Sequence, residues 1–218
     1  MLSILTGWSL AFLLGLRHAT EPDHVAAVAT LVPEQRNVRR AMQLGAAWGL
    51  GHSLAIFACG GALLLFRKSM SDRTSDWLEL MVSGLLLLLG ARSILRALRR
   101  PGEAHAASGH ASNIAALRHS RRKSLLIGLL HGTAGSGSLA ALVFANMPDL
   151  NAGLAYLIFF GAGSLFGMAA LAGIAGAPLR AISQRDKPQA LLFAAAGVLS
   201  VTIGVLYGLP IAQRLWSA

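Results

Sequence analysis

The sequence predicts an all-α polytopic membrane protein: six transmembrane helices, built as two inverted three-helix repeats, with the first helix broken at Pro22. Three observations carry this reading. Of 218 residues, 55% are hydrophobic and only 13% are charged, where a soluble domain carries about 25% charged residues. The apolar residues gather into six stretches, and a short motif of the first stretch returns in the fourth. Mean hydropathy is +0.59, and the 24 glycines fit the enrichment of glycine in membrane helices. A soluble enzyme, a disulfide scaffold and a disordered tail are excluded.

The stretches run over 3–32, 41–66, 77–95, 124–146, 152–175 and 190–212. About 20 apolar residues cross the hydrocarbon core as a helix, so the last five fit one crossing each. The first is too long and is interrupted by polar residues from Arg17 to His24. It reads as one broken crossing, with a re-entrant pair as the alternative. The start of the chain has no basic n-region or A-x-A site, so no cleaved signal peptide is expected.

The loops set the orientation. The connections at 34–40, 96–123 and 177–189 hold 13 basic residues, against four on the other side: Arg67, Lys68, Arg73 and Arg214. Positive charge stays cytoplasmic, which places both termini outside the cytoplasm of a bacterial inner (cell) membrane. The same pattern accounts for the net charge of +10 without a nucleic-acid partner. The expected organisation is one membrane domain: repeat one over 1–96, a basic cytoplasmic loop over 97–123, and repeat two over 124–218.

The repeat rests on two matches. Gly15-Leu16-Arg17-His18-Ala19-Thr20 aligns with Gly128-Leu129-Leu130-His131-Gly132-Thr133, 113 residues on, and Gly51-His52-Ser53-Leu54 aligns with Ala162-Gly163-Ser164-Leu165. A three-span unit ends on the side opposite its start, so the second copy must be inverted. Inverted repeats with broken helices meeting at the midplane are a transporter architecture.

The chemistry sits at mid-depth. His18, His52 and His131 fall near the centres of three stretches, and the first adds Arg17, Glu21, Asp23 and His24. A charged group at the bilayer centre costs roughly 2.5–3.5 kcal/mol on insertion scales, so such groups persist when they pair or serve a ligand. Pro22 cannot donate to the carbonyl of His18 and crowds that turn, yet it suits the first position of a new helix. Asp23 then lies in a first turn, where the helix dipole favours negative charge. On an unbroken helix residues 18 and 24 stand about 240° apart; around a break they can face one ligand. Imidazole nitrogens with one or two carboxylates suit a borderline divalent metal such as nickel, cobalt or zinc, and suit magnesium or calcium poorly. His18, Asp23, His24 and His52 are the candidate metal ligands. Glu21 and His131 are further ligand or pathway candidates, and Arg17, Pro22, Ser53 and Gly132 are structural candidates beside them. A structural polar network and a proton relay are the competing readings. Arg17 is expected to pair with Glu21 or Asp23.

The HATEPDHVAAV segment at 18–28, followed by Leu50-Gly51-His52-Ser53, resembles the nickel/cobalt transporter (NicO/NiCoT) superfamily. His131-Gly132-Thr133-Ala134-Gly135-Ser136-Gly137 departs from the acidic motif of the nickel permeases and looks more like the branch of urease-accessory (UreH-type) membrane proteins. The resemblance implies metal handling by His18, Asp23, His24 and His52, with nickel or cobalt as transported substrate and no resident cofactor.

The remaining features are plainer. Cys59, a single cysteine, excludes an intrachain disulfide and a two-cysteine relay, and reads as a packing residue. Gly45/Gly49, Gly163/Gly167 and Gly204/Gly208 are small-xxx-small pairs that mark helix contacts, within one chain or in a homodimer. Gly132, Gly135 and Gly137 allow either a second helix break or close packing. His105, His110 and His119 read as part of a solvated basic linker. No phosphate-binding loop is present and no nucleophile with a base stands out, so the chain is not expected to be an enzyme. The expected partners are the lipid bilayer, the divalent ion and accessory metal-handling proteins, and the driving force is the membrane potential or proton exchange.

Overall fold

The computed structural model describes residues 2–32, 37–98, 113–147, 149–182 and 186–217. Among them every regular element is a helix: α1 (Leu2–His18), α2 (Pro22–Leu31), α3 (Val38–Ala55), α4 (Gly61–Phe66), α5 (Asp72–Leu98), α6 (Asn113–Asn146), α7 (Leu150–Ile182) and α8 (Asp186–Ser217). A π-helical turn, Ile56–Gly60, joins α3 to α4.

Local chemistry sets the ends. The Asn37 side chain accepts from the Arg39 amide and opens α3. Ser71 accepts from the Thr74 amide at the start of α5, and Asp149 accepts from the Ala152 amide at the start of α7. These are side-chain N-caps. α4 ends with Arg67 in the left-handed region, φ 50°. The Lys68 amide bonds the Leu63 carbonyl and the Arg67 amide bonds the Leu64 carbonyl, the paired closure of a Schellman end.

Among the described residues, four stretches are long and apolar enough to cross a membrane: Val38–Phe66, Asp72–Leu98, Leu150–Gly176 and Ala190–Ser217. That is fewer than the six expected. α1 has 17 residues and α2 has 10, each short of a full crossing. α6 is long, with 34 residues, but its middle is diluted by His131, Thr133, Ser136 and glycines. A second difference concerns the expected basic loop. α6 already begins at Asn113, so Arg118, Arg121, Arg122 and Lys123 ride on helix, as does exposed His119. Long basic side chains can extend from helix ends to the interface while their stems stay on apolar surface. His105 and His110 lie outside the described residues. α6 also runs unbroken through Gly132, Gly135 and Gly137, so those glycines make no second break.

α3 lies at the centre, packed against α6 on one side and α7 on the other; α1 packs on α7, and α5 pairs with α8. Glycines set the approach. A Cβ at Gly15 would strike the Phe160 carbonyl, and one at Gly163 the Phe12 carbonyl. A Cβ at Gly128 would strike the Trp48 carbonyl, and one at Gly51 the Leu125 carbonyl. The first pair joins α1 to α7 and the second joins α6 to α3, through residues 112 or 113 positions on. α5 and α8 cross in the same reciprocal way. Ser93 donates to the Phe193 carbonyl at 2.7 Å, and Ser200 donates to the Leu86 carbonyl at 2.8 Å. Gly45 and Gly49 face α7, Gly163 and Gly167 face α1, and Gly204 and Gly208 face α5. All three glycine pairs thus serve contacts within the chain.

The outer faces of α5 and α8 carry exposed Leu88, Leu95, Leu191 and Leu209, a surface that suits lipid. Trp77 and Trp216 meet at 6.1 Å beside the Arg214–Asp76 ion pair, at one end of the bundle where an interfacial aromatic belongs.

Candidate metal site at the helix break

The first helix stops where the proline requires. The last turn tightens, with Thr20 N bonding Arg17 O at 2.9 Å and Glu21 N bonding His18 O at 3.0 Å. Glu21 then adopts an extended backbone, φ −62° and ψ 148°, and Pro22 begins α2. The break turns His18 and His24 toward each other, their ring centroids 4.5 Å apart.

Three elements supply the site. The break gives His18, Glu21, Asp23 and His24; α3 gives His52; α6 gives His131. His18 Nε2 lies 3.0 Å from His52 Nε2, while His18 Nδ1 faces Glu21 Oε2 at 3.0 Å. Asp23 engages two rings: Oδ1 faces His24 Nδ1 at 2.9 Å, and Oδ2 faces His131 Nε2 at 2.8 Å. Oδ1 also accepts from the His24 amide. His24, His52 and His131 are almost fully buried, whereas the Glu21 side chain is 54% exposed.

One nitrogen from each of His18, His24 and His52 lies within 4.8 Å of the others, and so do ligand atoms of Asp23, His24 and His131. The dimensions suit an ion. Around a dication with bonds of about 2.1 Å, ligands at right angles stand about 3.0 Å apart and opposite ligands about 4.2 Å apart. The His18–His52 separation matches the first figure, and each cluster fits within 4.8 Å. Asp23 occupies His24 Nδ1, and His24 Nε2 is buried with no partner among the described residues; His52 Nδ1 and His131 Nδ1 also lack one there. A carboxylate on one nitrogen of a ligating imidazole fixes its tautomer and raises its basicity. A buried polar atom left unpaired costs about 1–3 kcal/mol, so a purely structural network would pair these nitrogens.

Most of the expected residues therefore meet. Ser53 donates to the Gly161 carbonyl at 2.7 Å, tying α3 to α7. A Cβ at Gly132 would strike the His52 carbonyl, so this glycine lets α6 approach the site. Arg17 differs from expectation. It is exposed and lines a second cavity of about 380 Å³ beside His18 and Glu21, while both acids face histidines. At Glu21 and Asp23 the closer imidazoles take the carboxylates.

Two features were not anticipated from the sequence. A cavity of about 450 Å³ joins the histidines to Glu79 of α5 and to Tyr207 and Arg214 of α8. Glu79, an acid in an apolar stretch, was the available signal. Pro210 withdraws the helix bond from the Leu206 carbonyl, and both residues line that cavity. Trp48 packs its ring 5.4 Å from His24 and 5.7 Å from His131, a dry wall at the base of the site. The π-turn that follows His52, where half-buried Cys59 sits, also left no mark in composition; such turns recur at functional sites.

Residues 4–127 match the family NicO, described as a high-affinity nickel-transport protein. The chain is 31% identical to the urease accessory protein UreH of Bacillus sp. (strain TB-90), over 99% of this chain and 96% of that protein. It is 26% identical to the chloroplast protein FOR GROWTH AND FERTILITY 1 of Arabidopsis thaliana over 83% of this chain, and it spans about half of that longer protein, 53%. No solved structure matches. With apolar helices fit to cross a bilayer and a family match over more than half its length, the chain is a multi-pass membrane protein that belongs to the NicO nickel-transport family.

Proposed function

We propose that the chain carries a divalent transition metal ion, nickel or cobalt ahead of zinc, across the bacterial inner membrane by a secondary, ATP-independent mechanism. The observation that carries this reading is the meeting of His18, His24 and His52 at the helix break, with carboxylates on the outer nitrogens of His18 and His24. His18, His24 and His52 hold the ion through ring nitrogens. Asp23 orients His24 and His131 and adds negative charge, and a small rotation would make it a ligand. Glu21 orients His18, and His131 backs Asp23 on the pathway.

Six crossings in two inverted repeats, 1–96 and 124–218 about the basic segment 97–123, are the architecture we infer. Supporting it are the glycine and serine contacts that recur reciprocally between the halves. The excess of basic residues at one end supports extracytoplasmic termini. The large cavity leads toward the first turns of α5 and the last turn of α8, the end that this orientation places outside. Toward the other end the core closes over Val28, Val32, Trp48 and Met168. The conformation is then outward-facing, and rocking of one repeat against the other exposes the site inward. A dication moving inward through 100 mV gains about 4.6 kcal/mol, so the potential suffices to drive uptake.

The likeness to a urease accessory protein favours a second reading, delivery of metal to a partner protein without transport. Purified protein in liposomes holding a metal-sensitive dye separates the two. Transport predicts nickel or cobalt flux without any partner, lost in His18→Ala and His24→Ala at equal incorporation. Absence of flux in the wild type would remove transport and leave delivery.

A further inference from the structure

Two helix contacts repeat one register: α1 lies on α7, and α6 lies on α3. A Cβ at Gly163 would meet the Phe12 carbonyl and the Leu16 amide, and one at Gly51 would meet the Leu125 carbonyl and the Leu129 amide. A Cβ at Gly167 would meet the Ala19 Cβ, and one at Gly132 the Ala55 Cβ. Residues of α1 thus correspond to those of α6 113 positions on, and residues of α3 to those of α7 112 positions on. His131 is the counterpart of His18, and Ser164 is the counterpart of His52. Matching residue types along the sequence sets Ser53 against Ser164; the packing moves that match by one position.

Ser164 is fully buried, and its Oγ has no hydrogen-bond partner among the described residues. Other buried serines are satisfied: Ser83, Ser136 and Ser200 each donate to a carbonyl. A serine inside a helix can bond the carbonyl one turn back, and Ser164 does not. A buried hydroxyl left alone destabilises the fold, and alanine, nearly the same size, would avoid that cost. A position that served packing alone gains nothing from this oxygen. Its surroundings are those of the metal site. One turn earlier on α7, Phe160 holds its ring 5.3 Å from that of His18, and the Gly161 carbonyl accepts from Ser53, the neighbour of His52. A Cβ at Gly15, one turn before His18, would meet the Ser164 amide.

We propose, building on the metal-carrying and inverted-repeat readings above, that Ser164 is a further ligand of the transported ion. Its hydroxyl oxygen, with His131, takes the ion over when the second half adopts the arrangement that now brings His18 to His52. Rocking exchanges the two arrangements. The ion then leaves a set of three imidazoles for one in which a hydroxyl oxygen stands in place of an imidazole. Nickel and cobalt suit imidazole nitrogen, so the second set holds the ion more loosely and favours release.

The test replaces the oxygen with sulfur, a soft ligand. Purified Ser164→Cys in detergent is titrated with cadmium, whose bond to a thiolate gives an ultraviolet charge-transfer band. The band should appear in Ser164→Cys and be absent from the wild type, which keeps Cys59. Adding His131→Ala should weaken cadmium binding by at least about tenfold. Ser164→Ala should keep the unfolding midpoint at or above that of the wild type and leave the half-saturating nickel concentration unchanged, while maximal flux into liposomes falls several-fold. A Ser164→Cys spectrum identical to the wild type's overturns the proposal. So does a Ser164→Ala variant that loses midpoint and flux together, as a packing residue would, or one that matches an active wild type in flux. If Ser164→Cys does not fold, Ser164→Ala decides. The band reads the ligand even where the wild type moves no metal, so failure of transport and failure of this ligand are separate results.

Discussion

His18 Nε2 lies 3.0 Å from His52 Nε2, across the gap between the broken first helix and α3. Two imidazole nitrogens at that distance are either a hydrogen-bonded pair or two ligands awaiting an ion. The first predicts that either ring can be replaced with a modest loss of stability. The second predicts loss of metal handling. His18→Ala, His24→Ala and His52→Ala should each lower metal flux into liposomes by more than about tenfold, since even partners one step removed from a metal cost 10–100-fold. Far-ultraviolet circular dichroism should stay at the wild-type helix content.

Asp23 holds two rings at once, so its replacement should disturb both. Asp23→Asn keeps the shape but cannot accept from both imidazoles in the same way. Metal affinity should fall by about 10–100-fold, measured by calorimetric titration in detergent. Glu21 is half exposed and faces one ring, so Glu21→Gln should cost less than Asp23→Asn. The reverse order would show that the acids act in some other way.

Acid should release the ion. An imidazole binds metal only when its ligating nitrogen is free of a proton, so binding displaces protons and weakens as pH falls. With three rings in the site, affinity measured from pH 8 down to pH 5 should drop more steeply than one proton explains. A variant lacking one ring should show a shallower slope.

Gly128 lets α6 lie against α3, and an added methyl there meets the Trp48 carbonyl. Overpacking of a close contact costs about 1–3 kcal/mol. Gly128→Ala should therefore lower the midpoint of thermal unfolding. Gly84→Ala, where a Cβ meets nothing within 4 Å among the described residues, should leave it unchanged or raise it, since glycine in a helix is about 0.5–1 kcal/mol worse than alanine.

Much of the site was legible because ionisable groups in an apolar stretch are costly and therefore conspicuous. His18, Glu21, Asp23 and His24 announce themselves that way, and Pro22 fixes the break between them. His52 and His131 stood out for the same reason. The roles were harder to read. The Asp23 bridge between His24 and His131 depends on how α6 docks, which side-chain spacing along one helix does not contain. Arg17 looked like the partner of the acids by proximity in sequence, but the turn at 19–21 points the acids at the histidines. Helix limits were missed where basic residues continue a helix past the apolar stretch, as at Asn113–Lys123. The π-turn after His52 inserts without a proline or a polar residue to mark it.

Glu79 belongs to the wide cavity and not to the histidine cluster. Its charge should draw dications toward the site, a long-range effect that salt screens. Glu79→Gln should raise the half-saturating metal concentration for flux several-fold at low ionic strength, and the difference should vanish at high ionic strength.

The central claim is that imidazoles from two separate crossings ligate one ion. X-ray absorption of the nickel-loaded protein reads this directly. The account predicts a shell with roughly three imidazole nitrogens, reduced by one in His52→Ala and by one in His18→Ala. A shell of oxygen alone, or one identical in the wild type and both variants, would contradict it.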